Sequence, residues 1–281
     1  MMSLYQRFNY PSKGYCRLCG RYDRLTNEHI PPESCFNHQD YFITNNPEGN
    51  ERIHTKGGIK FKTICRICNN EVISLLDQEL AKLIKGSELF LGSSKRFGIF
   101  LNDYRISFNK IMILKCLIAK VIVSYFPPSR LSEKVEDSDF VYTDRLRKVF
   151  NLDENLLSSL RVYFWINQAP YLAIIPGLSI IGELGEVDSI IVSSYLKFYP
   201  ISFWIIEKDI QNRLKIDLPF FDFHSDDELI EINLKDLPKK RGDFPLDTPP
   251  TNGAYMMSTM NTIFAFPNEH QKIYIRNKIV K

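Results

Sequence analysis

The chain has 281 residues and a mass of 32.8 kDa, which is enough for one large domain or two modest ones. Hydrophobic residues make up 44% and charged residues 25%, a composition that argues against a disordered chain, a collagen or a coiled coil. The net charge of +3 divides into +5 in residues 1–110 and −2 in residues 111–281, so a phosphate-binding surface is expected in the N-terminal part.

Membrane insertion is not expected. The longest apolar run, residues 111–126, contains Lys115 and Lys120 and is shorter than the roughly 20 residues that a membrane-spanning helix needs. The first residues carry no apolar segment of a secretory signal. We therefore expect a cytoplasmic protein without a membrane partner.

Cysteine spacing predicts a metal site. Four of the six cysteines form two Cys-x-x-Cys pairs, Cys16 with Cys19 and Cys65 with Cys68. In a chain without a secretory signal, such pairs indicate a structural zinc ion held by four thiolates rather than disulfides. The alternative is one redox-active pair and a second that arose by coincidence. The remaining Cys35 and Cys116 are expected to be buried apolar residues.

A carboxylate and an imidazole lie side by side between the two cysteine pairs. Glu28 and His29 precede Pro31-Pro32, which stops regular strand pairing. On a β-strand the two side chains point to opposite faces. Glu28 can then bind a hard cation and His29 can deprotonate a water molecule. The alternative is that both are simply surface residues.

Basic residues cluster around the second cysteine pair, namely Lys56, Lys60, Lys62 and Arg66. Lysine alternates with Phe61 in a pattern that predicts a strand with one charged face, and Gly57-Gly58 permits close approach of the backbone. These residues are candidate contacts for nucleic-acid phosphates. A lysine-guarded hairpin edge is the alternative.

A helix is predicted directly after the second pair. Apolar residues recur at helical spacing from Val72 to Ile84, and Gly86 is expected to end the helix. Asn69 or Asn70 is then expected at the N-cap. The amide oxygen of one of them either faces a metal ion or only caps the helix.

The order of these motifs resembles the HNH, or ββα-metal, nuclease family, in the branch that carries two Cys-x-x-Cys knuckles. The residues that match are Cys16, Cys19, Glu28, His29, Cys65, Cys68 and Asn69, within residues 14–86. The resemblance implies a β-hairpin and a helix that clamp one Mg²⁺ or Mn²⁺ ion. It implies His29 as the general base, Glu28 and Asn69 as ligands of the catalytic ion, and the cysteines as ligands of a structural zinc.

The sequence departs from the family pattern at two positions. Many members have Asp or His where Glu28 stands, and the central Asn or His that orients the base is replaced by Lys60. Asn45, Asn46 or His54 is a candidate for that orienting role.

The rest of the chain predicts a second, helix-plus-sheet domain. Residues 109–126 read as an apolar, buried helix that ends at Pro127-Pro128. Runs rich in Val, Ile, Tyr and Phe predict strands that form an antiparallel sheet against this helix; the runs are 161–168, 171–175, 189–199, 201–208, 214–218 and 229–234. The fold class is therefore α+β, with a zinc-bearing ββα-metal module in residues 1–90 and an α+β accessory domain in residues 91–281.

The function predicted from these features is a metal-dependent endonuclease that hydrolyses phosphodiester bonds, with DNA favoured over RNA. The family resemblance also suits a prokaryotic antiviral-defence or mobile-element setting, and the accessory domain is expected to select the target or dock a protein partner. The alternatives are a catalytically degenerate zinc module that binds nucleic acid or protein, and a nuclease that stays silent until a partner engages.

Overall fold

The computed structural model describes residues 8–35, 37–45, 52–97, 103–134, 141–151, 159–169, 171–183, 188–207, 218–221, 229–240, 255–258 and 262–267. The helices are α1 (Ser74–Phe97), α2 (Lys110–Tyr125) and α3 (Val141–Phe150). The strands are β1 (Lys13–Tyr15), β2 (Tyr22–His29), β3 (Tyr41–Thr44), β4 (Ile53–Thr55), β5 (Lys60–Cys65), β6 (Arg105–Asn109), β7 (Leu160–Asn167), β8 (Leu172–Glu183), β9 (Asp188–Phe198), β10 (Ile201–Glu207), β11 (Phe220–Phe221), β12 (Leu229–Asn233), β13 (Lys239–Lys240), β14 (Tyr255–Ser258) and β15 (Ile263–Pro267). The fold is mixed helix and antiparallel sheet, which confirms the α+β class.

A small antiparallel sheet carries the N-terminal motifs. Its strand order is β1-β2-β5, and His29 lies opposite Lys60 in the pairing of β2 with β5. As predicted, β2 ends at His29, just before the two prolines, and β5 alternates half-buried lysines with the buried Phe61. One face of this sheet therefore packs inward while the other carries charge.

The helical segment after β5 differs from the prediction at both ends. It begins at Arg66, continues through a wider, π-type turn from Cys68 to Ile73, and enters α1 without a break. Neither Asn69 nor Asn70 is an N-cap, because both lie inside the helical segment. Gly86 does not end α1, which runs on to Phe97. A Cβ at Gly86 would lie 2.3 Å from the Ile106 side chain, so this glycine permits close helix–strand packing.

A large sheet forms the other half of the fold. Its main path of described strands is β11-β7-β10-β9-β8-β15-β3-β4, with β13 beside β7 and β14 beside β8. Strands β7, β9 and β10 match the predicted runs closely, whereas β8 is longer than predicted. The run at 229–234 forms β12, which pairs with β6 outside the large sheet. Residues 214–217 of another predicted run lie outside the described residues.

The apolar helix predicted at residues 109–126 is confirmed as α2. The Asn109 side chain caps it by accepting a hydrogen bond from the backbone N–H of Met112 at 2.9 Å. Most of its side chains are buried, and they belong to one hydrophobic core with the inner face of the large sheet and with α1. Burial on most sides explains why the sequence of this helix shows little amphipathic pattern.

The N-terminal and C-terminal parts share this core and one sheet. Strands β3 and β4 pair at the edge of the large sheet beside β15, a connection that the sequence did not predict. In addition, the Thr63 hydroxyl on β5 donates to the carbonyl of Val123 on α2 at 2.9 Å. The boundary predicted at residue 90 falls inside α1, and the division into two domains stays a prediction. The N-terminal motifs are thus packed directly against α2.

Candidate metal centre and adjoining cleft

The four cysteines of the two pairs lie together and are positioned to bind a metal ion. Their sulfur atoms, from Cys16, Cys19, Cys65 and Cys68, all lie within 4.8 Å of one another. The Sγ atoms of Cys19 and Cys65 are 3.8 Å apart. A zinc–sulfur bond of about 2.3 Å places the sulfurs of a tetrahedral site about 3.8 Å from each other, so the spacing is compatible with zinc.

Electrostatics in the cluster favour a thiolate. The pKa of Cys16 is lowered to about 5, chiefly because the Cys68 thiol donates a hydrogen bond to its sulfur. Backbone N–H groups of the two knuckles add to this effect. Since metal ions bind the deprotonated form, the lowered pKa of Cys16 favours metal binding at the first knuckle. By contrast, Cys35 and Cys116 lie buried outside the cluster, as predicted.

A cleft of about 450 Å³ lies where β2 ends and the helical segment begins. It is lined by all three residues of the predicted catalytic set, Glu28, His29 and Asn69. The sequence separates these residues by about 40 positions, and the antiparallel pairing of β2 with β5 closes that distance. The remaining lining includes the acidic residues Glu33 and Asp77 and a second histidine, His38.

His29 is half-buried at the mouth of this cleft. Burial lowers the pKa of His29 from its ordinary value, and the nearby Lys60 ammonium adds to the decrease. Glu33 opposes the shift, as does a hydrogen bond between the ring and the backbone of Gly57. A histidine with a lowered pKa is neutral near pH 7 and is therefore able to accept a proton.

The loop that contacts His29 is fixed by a buried asparagine. The fully buried Asn37 donates hydrogen bonds from Nδ2 to the carbonyls of Pro31, at 2.7 Å, and Ile59, at 3.1 Å. Its Oδ1 accepts from the Ile59 N–H at 2.8 Å. Gly58, with φ of 91°, packs so closely that a Cβ there would lie 2.0 Å from the Asn37 carbonyl oxygen. Asn37 thus joins the two loops that flank His29.

The residues expected to orient His29 are placed differently. Nε2 of His54 lies 3.4 Å from Oδ2 of Asp40, and the His54 ring packs on Phe42. Asn46 lies outside the described residues, and no contact is found between Asn45 and His29. The Gly57 backbone lies next to the imidazole instead; its N–H donates to Oδ1 of Asp40 at 3.2 Å, and Asn37 holds Ile59 two residues further along.

Glu28 is buried and ion-paired. Its Oε1 accepts a short hydrogen bond from the ammonium of Lys120, which reaches it from α2. The same ammonium lies 2.6 Å from Oδ1 of Asp77 on α1. Burial raises the pKa of Glu28, and the Lys120 charge opposes that rise. Of the two carboxylate oxygens of Glu28, Oε2 has no protein partner among the described residues.

Asn69 is oriented by the neighbouring strand. Its Nδ2 donates to the Thr26 hydroxyl at 3.1 Å and to the Asn27 carbonyl at 2.7 Å, both on β2. Because both donors of the amide are directed at β2, the amide orientation is fixed and Oδ1 is the atom left for another ligand. The hydrogen bonds also tie the π-type turn to the strand that carries His29.

The four predicted phosphate-binding residues lie in two separate grooves. Lys62 and Arg66, together with Arg24, line a groove of about 640 Å³ that shares Asn27 with the cleft. Lys56 and Lys60 line another groove, of about 580 Å³, on the side of Gly58. Basic side chains therefore line two grooves outside the acidic cleft, and one of these grooves adjoins it at Asn27.

Comparisons of the chain with models of known protein families, with curated proteins and with solved structures found no match. The interpretation of the site therefore depends on its own residues. Among the helices of the described ranges, none has the length and apolar character needed to cross a membrane.

Three residues near the site were not singled out from the sequence as functional. Asn37 gives no sequence signal, because an isolated asparagine in a loop is common. Asp77 reads as an ordinary first-turn acid of a helix. Lys120 does carry a signal, since a lysine on a helix that is apolar on all sides requires a buried anionic partner.

Proposed function

We propose that this protein is a metal-dependent nuclease of the ββα-metal type. The observation that supports this most is the cleft that gathers Glu28, His29 and Asn69 beside a four-cysteine cluster. An antiparallel strand pair, β2 with β5, followed by a helical segment agrees with the hairpin and helix of such a module. The cysteine cluster is assigned to a structural zinc.

Each residue of the cleft has a distinct role in this proposal. Glu28 and Asn69 supply one carboxylate oxygen and one amide oxygen, which are hard ligands suited to Mg²⁺ or Mn²⁺. The bound ion supplies positive charge that stabilises the phosphate in the transition state. His29 removes a proton from the attacking water, and the Gly57 backbone holds the imidazole in the required orientation.

Nucleic acid is the proposed substrate, with DNA favoured over RNA. The groove with Lys62 and Arg66 shares Asn27 with the cleft, so a nucleic acid whose phosphates bind in this groove would extend next to the cleft that contains His29. Lys56 and Lys60 provide a second basic surface on the other side. No described helix is expected to read bases, so the proposal includes no sequence specificity.

Cleavage of supercoiled plasmid DNA and of a structured RNA in Mg²⁺ or Mn²⁺ tests this function. We expect the zinc-loaded protein to cut, and His29→Ala to lose at least about 100-fold in rate. His38→Ala is the matched control, because His38 lines the same cleft without a role in the proposal. This variant is expected to retain activity. Equal rates for His29→Ala and the unchanged protein would refute the role of His29.

A second candidate is a zinc module that binds nucleic acid or a protein without cleaving it. The ion pair between Glu28 and Lys120 favours this candidate, because it engages one oxygen of a predicted metal ligand. Salt-sensitive DNA binding without cleavage in any divalent ion would support it. Cleavage that begins only when a partner protein is added would instead indicate a nuclease that is activated through the C-terminal part.

A further inference from the structure

A fully buried lysine lies at the back of the cleft. Lys120 extends from α2, and its ammonium bridges the carboxylates of Glu28 and Asp77, which come from β2 and α1. The Sγ of Cys116 donates to the same Asp77 oxygen at 3.4 Å. Side chains from β2, α1 and α2 thus meet at the Lys120 ammonium.

The charge of this lysine is retained despite its burial. Both carboxylates lie in direct contact with the ammonium, and such pairing favours the charged form of a buried lysine. An unpaired lysine at such a position would lose its proton. With Glu28 and Asp77 ionised, the group of three has a net charge of −1, since one ammonium offsets one of two carboxylates.

The ammonium and a divalent ion would use the same carboxylate. Lys120 engages Oε1 of Glu28, and β2 engages the Asn69 amide nitrogen, so a divalent ion held by these two residues would have Oε2 of Glu28 and Oδ1 of Asn69 available as ligands. Two cations on one carboxylate repel each other strongly where water is largely excluded. Lys120 also keeps the Glu28 side chain in a single position, which favours a preorganised ligand.

We propose that the Lys120 ammonium is a built-in cation of the candidate metal site, which positions Glu28 through Oε1 and weakens the binding of a divalent ion at Oε2. This inference rests on the proposed function, because it takes Glu28 and Asn69 as the ligands of that ion. Helix α2 is then part of the site, and the charge of Lys120 sets the affinity of the cleft for a divalent ion.

Mn²⁺ titration of the zinc-loaded full chain, followed by the electron paramagnetic resonance signal of free Mn²⁺, tests this proposal. We expect Lys120→Met to bind Mn²⁺ at least about tenfold more tightly than the unchanged protein, because the repulsion is gone. Adding Glu28→Gln to that variant removes the gained binding. A merely structural lysine would not produce a gain that depends on Glu28.

A second variant protects the test against misfolding. Lys120→Met combined with Asp77→Asn removes one charge of each sign, so the net charge of the group stays at −1. Glu28 is then the only carboxylate of the three residues, and Asp77 is not left as a second unpaired charge. Zinc content and circular dichroism report whether each variant is folded. This double variant is also expected to bind Mn²⁺ more tightly than the unchanged protein.

The outcomes separate this proposal from the proposed function. If folded Lys120 variants bind Mn²⁺ no more tightly than an unchanged protein that does bind it, the role of Lys120 is refuted and the nuclease proposal stands. If only the Lys120 variants bind Mn²⁺, and through Glu28, the role of Lys120 is supported and the unchanged protein is the degenerate zinc module. Absence of Mn²⁺ binding in every variant refutes both.

Discussion

Replacement of Asn37 by alanine tests how His29 is held. The substitution removes two donated hydrogen bonds and one accepted bond. It leaves the Pro31 carbonyl and the Ile59 N–H without partners in a buried loop, whereas the Ile59 carbonyl keeps its bond from the Ile30 N–H. At about 1 kcal/mol for each of the three lost hydrogen bonds, the expected loss of unfolding free energy is about 3 kcal/mol. For a chain of this size that loss lowers the melting temperature by about 5 °C.

The same variant is expected to lose activity without losing substrate affinity. Because the Asn37 side chain no longer joins Pro31 to Ile59, the loop next to His29 is held less firmly. The imidazole then spends less time in its working orientation, and kcat is expected to fall about tenfold while KM changes little. Asn45→Ala is the matched control, since Asn45 makes none of these hydrogen bonds, and it changes stability by less than about 0.5 kcal/mol. An Asn37→Ala protein as stable and as active as the Asn45→Ala control would refute this account of the loop.

Three further predictions follow from single side chains. Gly58→Ala is expected to destabilise the protein by more than about 2 kcal/mol, because φ is 91° and the new Cβ would meet the backbone. Gly92→Ala, in the open part of α1, is the control and is expected to stabilise the protein by about 0.5–1 kcal/mol, and thermal denaturation measures both changes. Because burial lowers the pKa of His29, the neutral base persists into more acidic solution. A plot of kcat/KM against pH is therefore expected to rise with a midpoint below 6.5, and a midpoint above 7 would contradict the lowered pKa. Lys62→Ala is expected to reduce the slope of log K against log salt for DNA binding by about 1, and Lys82→Ala on α1 leaves it unchanged; equal slopes for the two variants would remove the groove from the interface.

Features set by local chemistry could be predicted from the sequence. The spacing of four cysteines predicts a cluster because each Cys-x-x-Cys turn brings its own two sulfurs together, and only the meeting of two knuckles is a tertiary event. Helix α2 follows from a long, mostly apolar run bounded by Asn109 and two prolines. Strands β7, β9 and β10 follow from dense β-branched and aromatic residues.

Features set by distant contacts could not be predicted. Gly86 ends a helix in most settings, but here Ile106 packs against it and α1 continues. Strands β3 and β4 are short, and they are stable only because β15, more than 200 residues away, provides an edge to pair with. The pairing of Glu28 with Lys120 likewise joins residues 92 positions apart.

The candidate site, too, could be predicted from the sequence only in part. Glu28, His29 and Asn69 could be singled out from motif order, and the antiparallel pairing that brings them to one cleft is a simple consequence of a hairpin. The support of the loop next to His29 could not be predicted, because Asn37 acts on it through the backbone groups of Pro31 and Ile59. Backbone contacts of this kind leave no pattern in the sequence.

Anomalous X-ray diffraction from crystals of the zinc-loaded protein soaked in millimolar Mn²⁺ tests the central claim most directly. The account predicts one zinc ion at the four cysteine sulfurs, with Zn–S distances of about 2.3 Å. It also predicts Mn²⁺ in the cleft, in contact with Oε2 of Glu28 and Oδ1 of Asn69 and within reach of a water molecule beside His29. A zinc-free cysteine cluster, or Mn²⁺ bound only outside the cleft, would contradict it.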